Sequence, residues 1–437
     1  MIYLFDFFCL LGILFILYTI VKYKEDNKKF LICFLTVTFL LRIGVVFILK
    51  TPLQSDFLIL YEAASNFVEG NNLMNTSSYF QSWSYQTGIV LFYSLFLSIW
   101  NNVIILKIVN CILSTLLCYL VYLISRCFSS EISSRFVAVL YSIFIFPLLY
   151  NTILSNQIPA AVCFYFGIYF LLKQNELSLK VILISSICFV LGNILRPEGI
   201  IFVCSLIGYL ILTISKLNAR KNAVYICILS LSYMLFFYSA SFFVMKTNIN
   251  NKGLSNNNPY WKFLIGMNIE SNGHYNEYDA SIPINEQKDL LISRIEKMKF
   301  SEFVGLVGNK LSVSFSEGTN WWSIFHLDLS EKFLGINLNF IIEKLNSINY
   351  LTYLFVFMLF LFGIVFKFEN KGLLLFNILA INLVAYIFIE VQARYAYLLQ
   401  ISIFCLASLG LDGIKEFIKY KLKCIMDLRK DSNQKIS

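Results

Sequence analysis

The residues of this chain best suited to chemistry are one carboxylate and two arginines, each set just beyond an apolar run. Asp56 stands in Ser55-Asp56-Phe57, with Tyr61 and Ala64 following at helical spacing and Gly70-Asn71-Asn72 placed to stop that helix. The preceding apolar run, Phe30 to Lys50, is long enough to cross a bilayer, which takes about 20 residues. Asp56 therefore falls at the edge of the hydrocarbon. A carboxylate held there suits a substrate that is half lipid and half polar; a solvated loop aspartate is the plain alternative.

Arg196-Pro197-Glu198-Gly199 separates two apolar segments. An arginine at a helix end, fixed by the proline after it, can present a planar fork to phosphate. A hairpin turn with a snorkelling arginine would look the same. Glu390-Val391-Gln392-Ala393-Arg394-Tyr395 packs a carboxylate, an amide, a guanidinium and a phenol between two further apolar segments. Two arginines in different helical hairpins could converge on one anion. The competing reading is a local Glu390–Arg394 pair at i,i+4 spacing. Arg42 lies inside an apolar segment, where a charge costs roughly 2.5–3.5 kcal/mol, and calls for either a partner in the bundle or a snorkelling path.

His274 and His326 are the only histidines, and neither sits in an H-x-x-x-H or H-x-E pattern. A divalent metal held by His274 with Asp279 or Asp56 stays open, although no ligand spacing announces it. No cofactor is otherwise expected. The chain contains no G-x-S-x-G, P-loop or G-x-G-x-x-G, which argues against a serine nucleophile and a nucleotide site.

The elements that must carry these residues are membrane helices. Of 437 residues, 58% are hydrophobic and 14% are Asp, Glu, Lys or Arg; mean hydropathy is +0.71. A soluble chain is nearer one quarter charged. Helical periodicity and only 6 prolines speak against a transmembrane barrel. The sequence thus specifies an all-α polytopic membrane protein. About eleven spans are expected, near 3–21, 30–50, 103–126, 135–150, 155–173, 179–195, 198–215, 223–246, 349–366, 371–389 and 394–412. The N-terminus lacks a basic n-region and a small-residue cleavage site, so its apolar run reads as a retained helix.

The net charge of +9 does not point to nucleic acid. The excess lies in short loops and the tail: Lys22, Lys24, Lys28 and Lys29; Lys216, Arg220 and Lys221; Lys415 to Lys430. By the positive-inside rule these are cytoplasmic, and the tail could touch anionic lipid. The N-terminus then lies outside and the C-terminus inside. Both long loops, 51–102 and 247–348, face outside, provided that the short apolar stretch Gly88 to Trp100 lies along the interface. The 11 cysteines all avoid those loops, so neither a disulfide framework nor a structural zinc is expected. In the second loop, helices are expected from Asn285-Glu286, with Leu290, Leu291, Ile295 and Met298 on one face, and from Ser301-Glu302, with Phe303, Val304, Val307 and Leu311. Trp321-Trp322 suits the headgroup level, and disorder is expected from about Asp427. The chain divides into an extra N-terminal helix and cytoplasmic loop (1–29), a membrane core with its first external loop (30–246), the large external loop (247–348), C-terminal membrane helices (349–412) and a basic tail (413–437).

This layout resembles the bacterial GT-C membrane glycosyltransferases, a group similar to the protein O-mannosyltransferases and the lipid A aminoarabinose transferases. The likeness rests on S-D-F with Y-x-x-A and a glycine in the first loop, on Leu195-Arg196-Pro197-Glu198-Gly199 and on Glu390 to Tyr395. Trp261-Lys262-Phe263-Leu264-Ile265-Gly266-Met267-Asn268, with Glu270-Ser271-Asn272-Gly273 after it, adds to it. It covers roughly residues 30–412. Two features depart from the group: many relatives carry a paired acid where Asp56 has serine before it and phenylalanine after, and the helix at 3–21 precedes the usual start.

The resemblance implies transfer of a sugar from a polyprenyl-phosphate donor to a cell-envelope acceptor (a cell-wall glycan, teichoic acid, lipid or protein) on the outer side of the cytoplasmic membrane. Asp56 would be the catalytic base, with inversion at the anomeric carbon. Arg196 and Arg394 would hold the phosphate, Lys310 would assist, and Glu198, Glu390, Gln392, Tyr395 and Tyr61 would complete the substrate-binding set. The amphipathic loop and its tryptophans would cover the acceptor. The competing readings are a polysaccharide polymerase or ligase acting on lipid-linked glycans, and a lipid-glycan flippase or transporter.

Overall fold

In the computed structural model, which describes residues 2–23, 26–214, 218–316 and 321–434, each of the eleven expected apolar segments is helical. Among the described residues, five helices are long and apolar enough to cross a membrane: Asn27–Leu49, Val103–Ser125, Ala219–Lys246, Leu338–Phe366 and Ala393–Lys421. The segment expected at 135–150 is a broken span, Glu131–Ile143 and Ile145–Thr152 bent by 52°. The break falls at Phe144, which takes an extended conformation three residues before Pro147. Helices 157–173, 179–195, 199–212 and 372–388 are shorter and apolar. One continuous core joins them all. Outward faces are apolar too: Leu231, Leu235 and Phe242 are each more than 60% exposed. Such faces suit lipid rather than water. The chain is an all-α membrane protein.

Capping follows the sequence. Asp26 accepts from the Lys28 and Lys29 amides, Asn102 from Ile104, and Ser178 from Val181, satisfying the free donors of helix starts. At one end of the bundle the basic turns meet. Asp412 accepts from Ser130 and Ser133 and lies 3.4 Å from Lys415.

At the other end the two long loops interlock. Asn72 donates to the Asn248 and Ile249 carbonyls, and the Tyr85 amide donates to Ser255. The stretch expected along the interface is an eleven-residue helix, Thr87–Leu97, too short to span. Its inner face packs in the core, while Leu95, Ile99 and Trp100 stay exposed.

Arg42 is fully buried and turned into the bundle, which settles its two alternatives. It donates to Ser114 Oγ, Cys118 Sγ and the carbonyls of Thr38 and Ser142.

Four local expectations are corrected. The helix expected from 349 begins at Leu338, capped by Asn337 and preceded by a two-stranded hairpin pairing Lys332–Phe333 with Ile336–Asn337. The helix Phe300–Ser316 buries Leu306, Lys310 and Ser314, whereas Val304 is exposed. Helical spacing alone offers more than one stripe, and what lies against the helix chooses between them. The last helix continues to Gln434, through residues expected to be disordered. The helix at Ile284–Lys297 does form, with Leu291 buried and Leu290 and Met298 packed beside it, but Ile295 is exposed.

Candidate active site

A cleft of about 850 Å³ opens at the looped end of the bundle, and Asp56, Arg196, Glu198, Glu390, Gln392, Arg394 and Tyr395 all line it. These residues are up to 339 positions apart, from 56 to 395. Asp56 is in the first turn of the helix Ser55–Val68, which ends just before Gly70 at φ +92°. Its side chain is 41% exposed, and Oδ2 lies 3.9 Å from Arg394 Nη2.

The Arg196 turn follows from its sequence. Helix 179–195 stops because the residue before a proline avoids the helical region; Arg196 is extended, and its amide still donates to the Gly192 carbonyl. Asn193 then accepts from the Gly199 amide and starts the next helix. Arg196 Nε is paired with Glu198 Oε1, and Nη1 donates to Asn156 Oδ1 at 3.0 Å. The second Glu198 oxygen is buried with no partner among the described residues. Gly88 holds this turn against the first loop, since a Cβ there would overlap the Ile194 carbonyl.

The Glu390–Tyr395 turn is extended rather than helical through Gln392, so the i,i+4 pair does not form. Gln392 bridges instead. Its amide donates to Glu390 Oε1 at 2.6 Å, and its carbonyl accepts from Arg394 Nε. Tyr395 donates to Glu390 Oε2 at 3.1 Å. The second long loop fixes the backbone here: the Glu390 and Val391 amides donate to the carbonyls of Lys262 and Gly273. Gly266 permits the contact, because a Cβ would overlap Ile389 and Glu390. Gln157 ties down the Arg394 carbonyl at 2.6 Å.

Tyr395 is the hub of the cationic side. The guanidinium of Arg196, the ammonium of Lys262 and the guanidinium of Arg394 lie 5.4, 5.4 and 5.9 Å from its ring centroid. Burial, with Arg196 nearby, pushes the Lys262 ammonium down to about 8. Burial and the adjoining Asp56 carboxylate push the Tyr79 phenol up.

Two expected residues stand elsewhere. Lys310 does not line the cleft; its ammonium donates to the Ile387 and Ile389 carbonyls at 2.7 and 2.8 Å, capping the end of helix 372–388. Tyr61 is half-buried against the core and is also absent from the lining. Trp322 does line the cleft, edge-on to Phe57 at 5.7 Å; the Trp321 side chain falls outside the described residues.

Sequence reasoning gave no role to Lys262, which it named only within a motif, and none to Asn156, Tyr79 and Trp83. Lys262 carried a signal, as a lone cation between Trp261 and Phe263-Leu264-Ile265.

Among the described residues no three His, Cys, Asp or Glu side chains gather as a metal group. Asp279 is held by Arg294, Asn268 and Asn276. Glu390 is engaged at both oxygens and Glu198 at one, and Asp56, His274 and Glu198 do not gather as a chelate.

No protein-family model matches the chain, and no curated protein matches it. Among solved structures, it is similar to the archaeal oligosaccharyltransferase AglB from Archaeoglobus fulgidus, in complex with an inhibitory peptide and a dolichol-phosphate, with a TM-score of 0.51 at 13% identity. The apo form of the Archaeoglobus fulgidus oligosaccharyltransferase gives the same two values. These matches cover 93% and 92% of this chain and 52% of the other, so the chain spans about half the length of those neighbours. ArnT from Cupriavidus metallidurans, bound to undecaprenyl phosphate, gives a TM-score of 0.40 at 10% identity over 89% of this chain and 78% of that one. The chain has the GT-C membrane fold, as the motifs led one to expect.

Proposed function

We propose that this chain is a membrane glycosyltransferase that moves a sugar from a polyprenyl-phosphate donor to an acceptor hydroxyl. The observation that carries this reading is the cleft itself: a half-exposed carboxylate 3.9 Å from a mostly buried guanidinium, with two further cations about Tyr395, at one end of an apolar bundle. The dolichol-phosphate held by a neighbour of the same fold supports it.

In the reaction, Asp56 accepts the proton of the acceptor hydroxyl as that oxygen bonds to the anomeric carbon. The bond from that carbon to the phosphate oxygen breaks, and its electron pair leaves with the lipid phosphate. Attack from the side opposite the leaving group inverts the centre. Phosphate gains negative charge as the bond breaks, and Arg394, Arg196 and Lys262 stabilise that gain. The acceptor is a cell-envelope molecule, and the sugar is a hexose or a derivative of one.

Purified protein in nanodiscs should bind a polyprenyl phosphate and discriminate against the matching uncharged polyprenol; equal binding of the two would refute the phosphate site. Lys262 adds a pH signature. It is charged below about 8 and neutral above, so polyprenyl-phosphate affinity should weaken as pH rises through that value. Lys262→Arg should flatten the profile, and a profile unchanged by that substitution would remove Lys262 from the site.

The lysine asymmetry supports a cleft on the outer face of the cytoplasmic membrane, with the N-terminus outside and the C-terminus inside. Tyr278, 68% exposed on the second long loop, is a reporter. In a cysteine-free background, Tyr278→Cys should react with an impermeant maleimide on intact cells. Labelling only after permeabilisation would reverse the orientation.

A further inference from the structure

One wall of the cleft has no part in the phosphate chemistry above. Tyr79 and Trp83 come from the first long loop, one helical turn apart, the Trp83 amide donating to the Tyr79 carbonyl at 2.9 Å. Trp261 and Tyr275 come from the second. Trp83 and Trp261 stand edge to face with centroids 5.2 Å apart, and Trp261 and Tyr275 are 6.2 Å apart. All four line the cleft. The order has a direction: Tyr79 neighbours Asp56, whereas Tyr275 is 56% exposed at the mouth.

We propose that this aromatic wall is the acceptor subsite and that it takes the pyranose rings of a saccharide, an inference that rests on the glycosyl-transfer reading above. A pyranose has apolar C–H faces and a rim of hydroxyls. The wall matches both. Its rings offer flat apolar faces, each with a polar edge. Gln86, Asn256 and His274 line the same cleft, and Gln86 donates to the Tyr79 hydroxyl at 3.4 Å.

Trp261 Nε1 is held by the Ala280 carbonyl, which fixes that ring in the wall. A prenyl chain would want aliphatic lining without these polar edges. A peptide held by strand addition needs a free sheet edge, and among the described residues the only strands are 332–333 and 336–337, away from the cleft.

The wall is also preformed. Asn257 bonds the Ser82 carbonyl through its amide and the Gln81 carbonyl through its side chain, and the Tyr85 amide bonds the Ser255 carbonyl. The two loops are thus pinned together beside the rings, and little ordering remains for binding to impose.

The test is saturation-transfer NMR on the full chain in nanodiscs. The probes are methyl glycosides of glucose, galactose and mannose, their 2-acetamido counterparts, and a neutral serine-containing peptide. Saturation should reach the ring C–H protons of at least one glycoside and not the peptide. Trp83→Ala and Trp261→Ala should each weaken that glycoside by about tenfold or more, the scale of a lost aromatic anchor, and Trp83→Phe should stay close to wild type. Polyprenyl-phosphate affinity should be unchanged in the alanine variants.

No glycoside binding to wild type, glycoside affinity indifferent to both alanine changes, or peptide binding that depends on Trp83 would each overturn the assignment. If an alanine variant also loses the lipid, Tyr275→Ala at the exposed mouth decides by the same tenfold criterion. Failure of wild type to prefer polyprenyl phosphate over polyprenol would strike the glycosyl-transfer reading instead, whatever the sugars do.

Discussion

Replacing Arg394 with alanine should weaken polyprenyl-phosphate binding by about 10- to 150-fold, the equivalent of one charge-assisted contact of roughly 1.5–3 kcal/mol. The guanidinium is positioned by groups that survive the change. Gln157 holds the backbone carbonyl of residue 394, and the Glu390–Gln392 and Glu390–Tyr395 bonds do not involve the arginine. What disappears is the cation facing Asp56 and its packing over Phe57 and Trp322, at 5.5 and 6.0 Å. Lysine restores charge but not the fork or the planar stacking, so Arg394→Lys should recover only part of the loss. Arg196→Ala should act in the same direction, but it also strips Glu198 of its partner and leaves a buried carboxylate uncompensated. Its loss will therefore mix binding with stability, which makes Arg394 the cleaner probe. Wild-type affinity in the Arg394→Ala protein would disprove the phosphate clamp.

Much of this site was legible because membrane sequences separate the two problems. Hydropathy locates the helices, and polar residues left at their ends are conspicuous. Asp56, Arg196 and the Glu390–Tyr395 turn stood out for that reason, and all three line one cleft. The internal wiring of the turn did not stand out. A Glu390–Arg394 pair presumes a helix, but the extended conformation from Glu390 to Gln392 places Gln392 between the charges. The loops are the least legible part of the sequence. Lys310, a cation in an external segment, reads as a ligand contact, yet the backbone carbonyls of Ile387 and Ile389 claim it. Nothing within residues 300–316 announces those carbonyls. Tyr79 and Trp83 are inconspicuous for the complementary reason: aromatic residues abound, with 43 Phe and 26 Tyr, and only the meeting of two loops some 180 residues apart gives these rings a shared face.

Asp56→Asn should lower turnover by about 10²–10⁴-fold, the usual worth of a positioned general base, while leaving polyprenyl-phosphate binding near wild type. The two effects separate because the groups do. Asparagine keeps the size and hydrogen-bonding capacity of the side chain but lacks an oxygen able to take the acceptor proton. The cations about Tyr395 all remain, and Arg394 loses only a 3.9 Å contact with the carboxylate. The fold should tolerate the change: Asp56 is 41% exposed and its contact with Arg394 is 3.9 Å. Loss of a negative charge from a helix's first turn costs roughly 0.3–1 kcal/mol, small beside the barrier that 10²–10⁴-fold represents, about 2.7–5.5 kcal/mol. Asp56→Glu should recover little, because one added methylene shifts the carboxylate by more than about an ångström in a step that depends on alignment. Tyr79 and Arg394 beside Asp56 leave the longer side chain little freedom to compensate. Single-turnover transfer from a polyprenyl-phosphate-linked sugar, with folded protein matched by its lipid binding, is the measurement. An asparagine variant that transfers within a few-fold of wild type would remove Asp56 from the chemistry. The cleft would then be better read as a lipid-glycan binding site, as a transporter or a ligase with a different base would need.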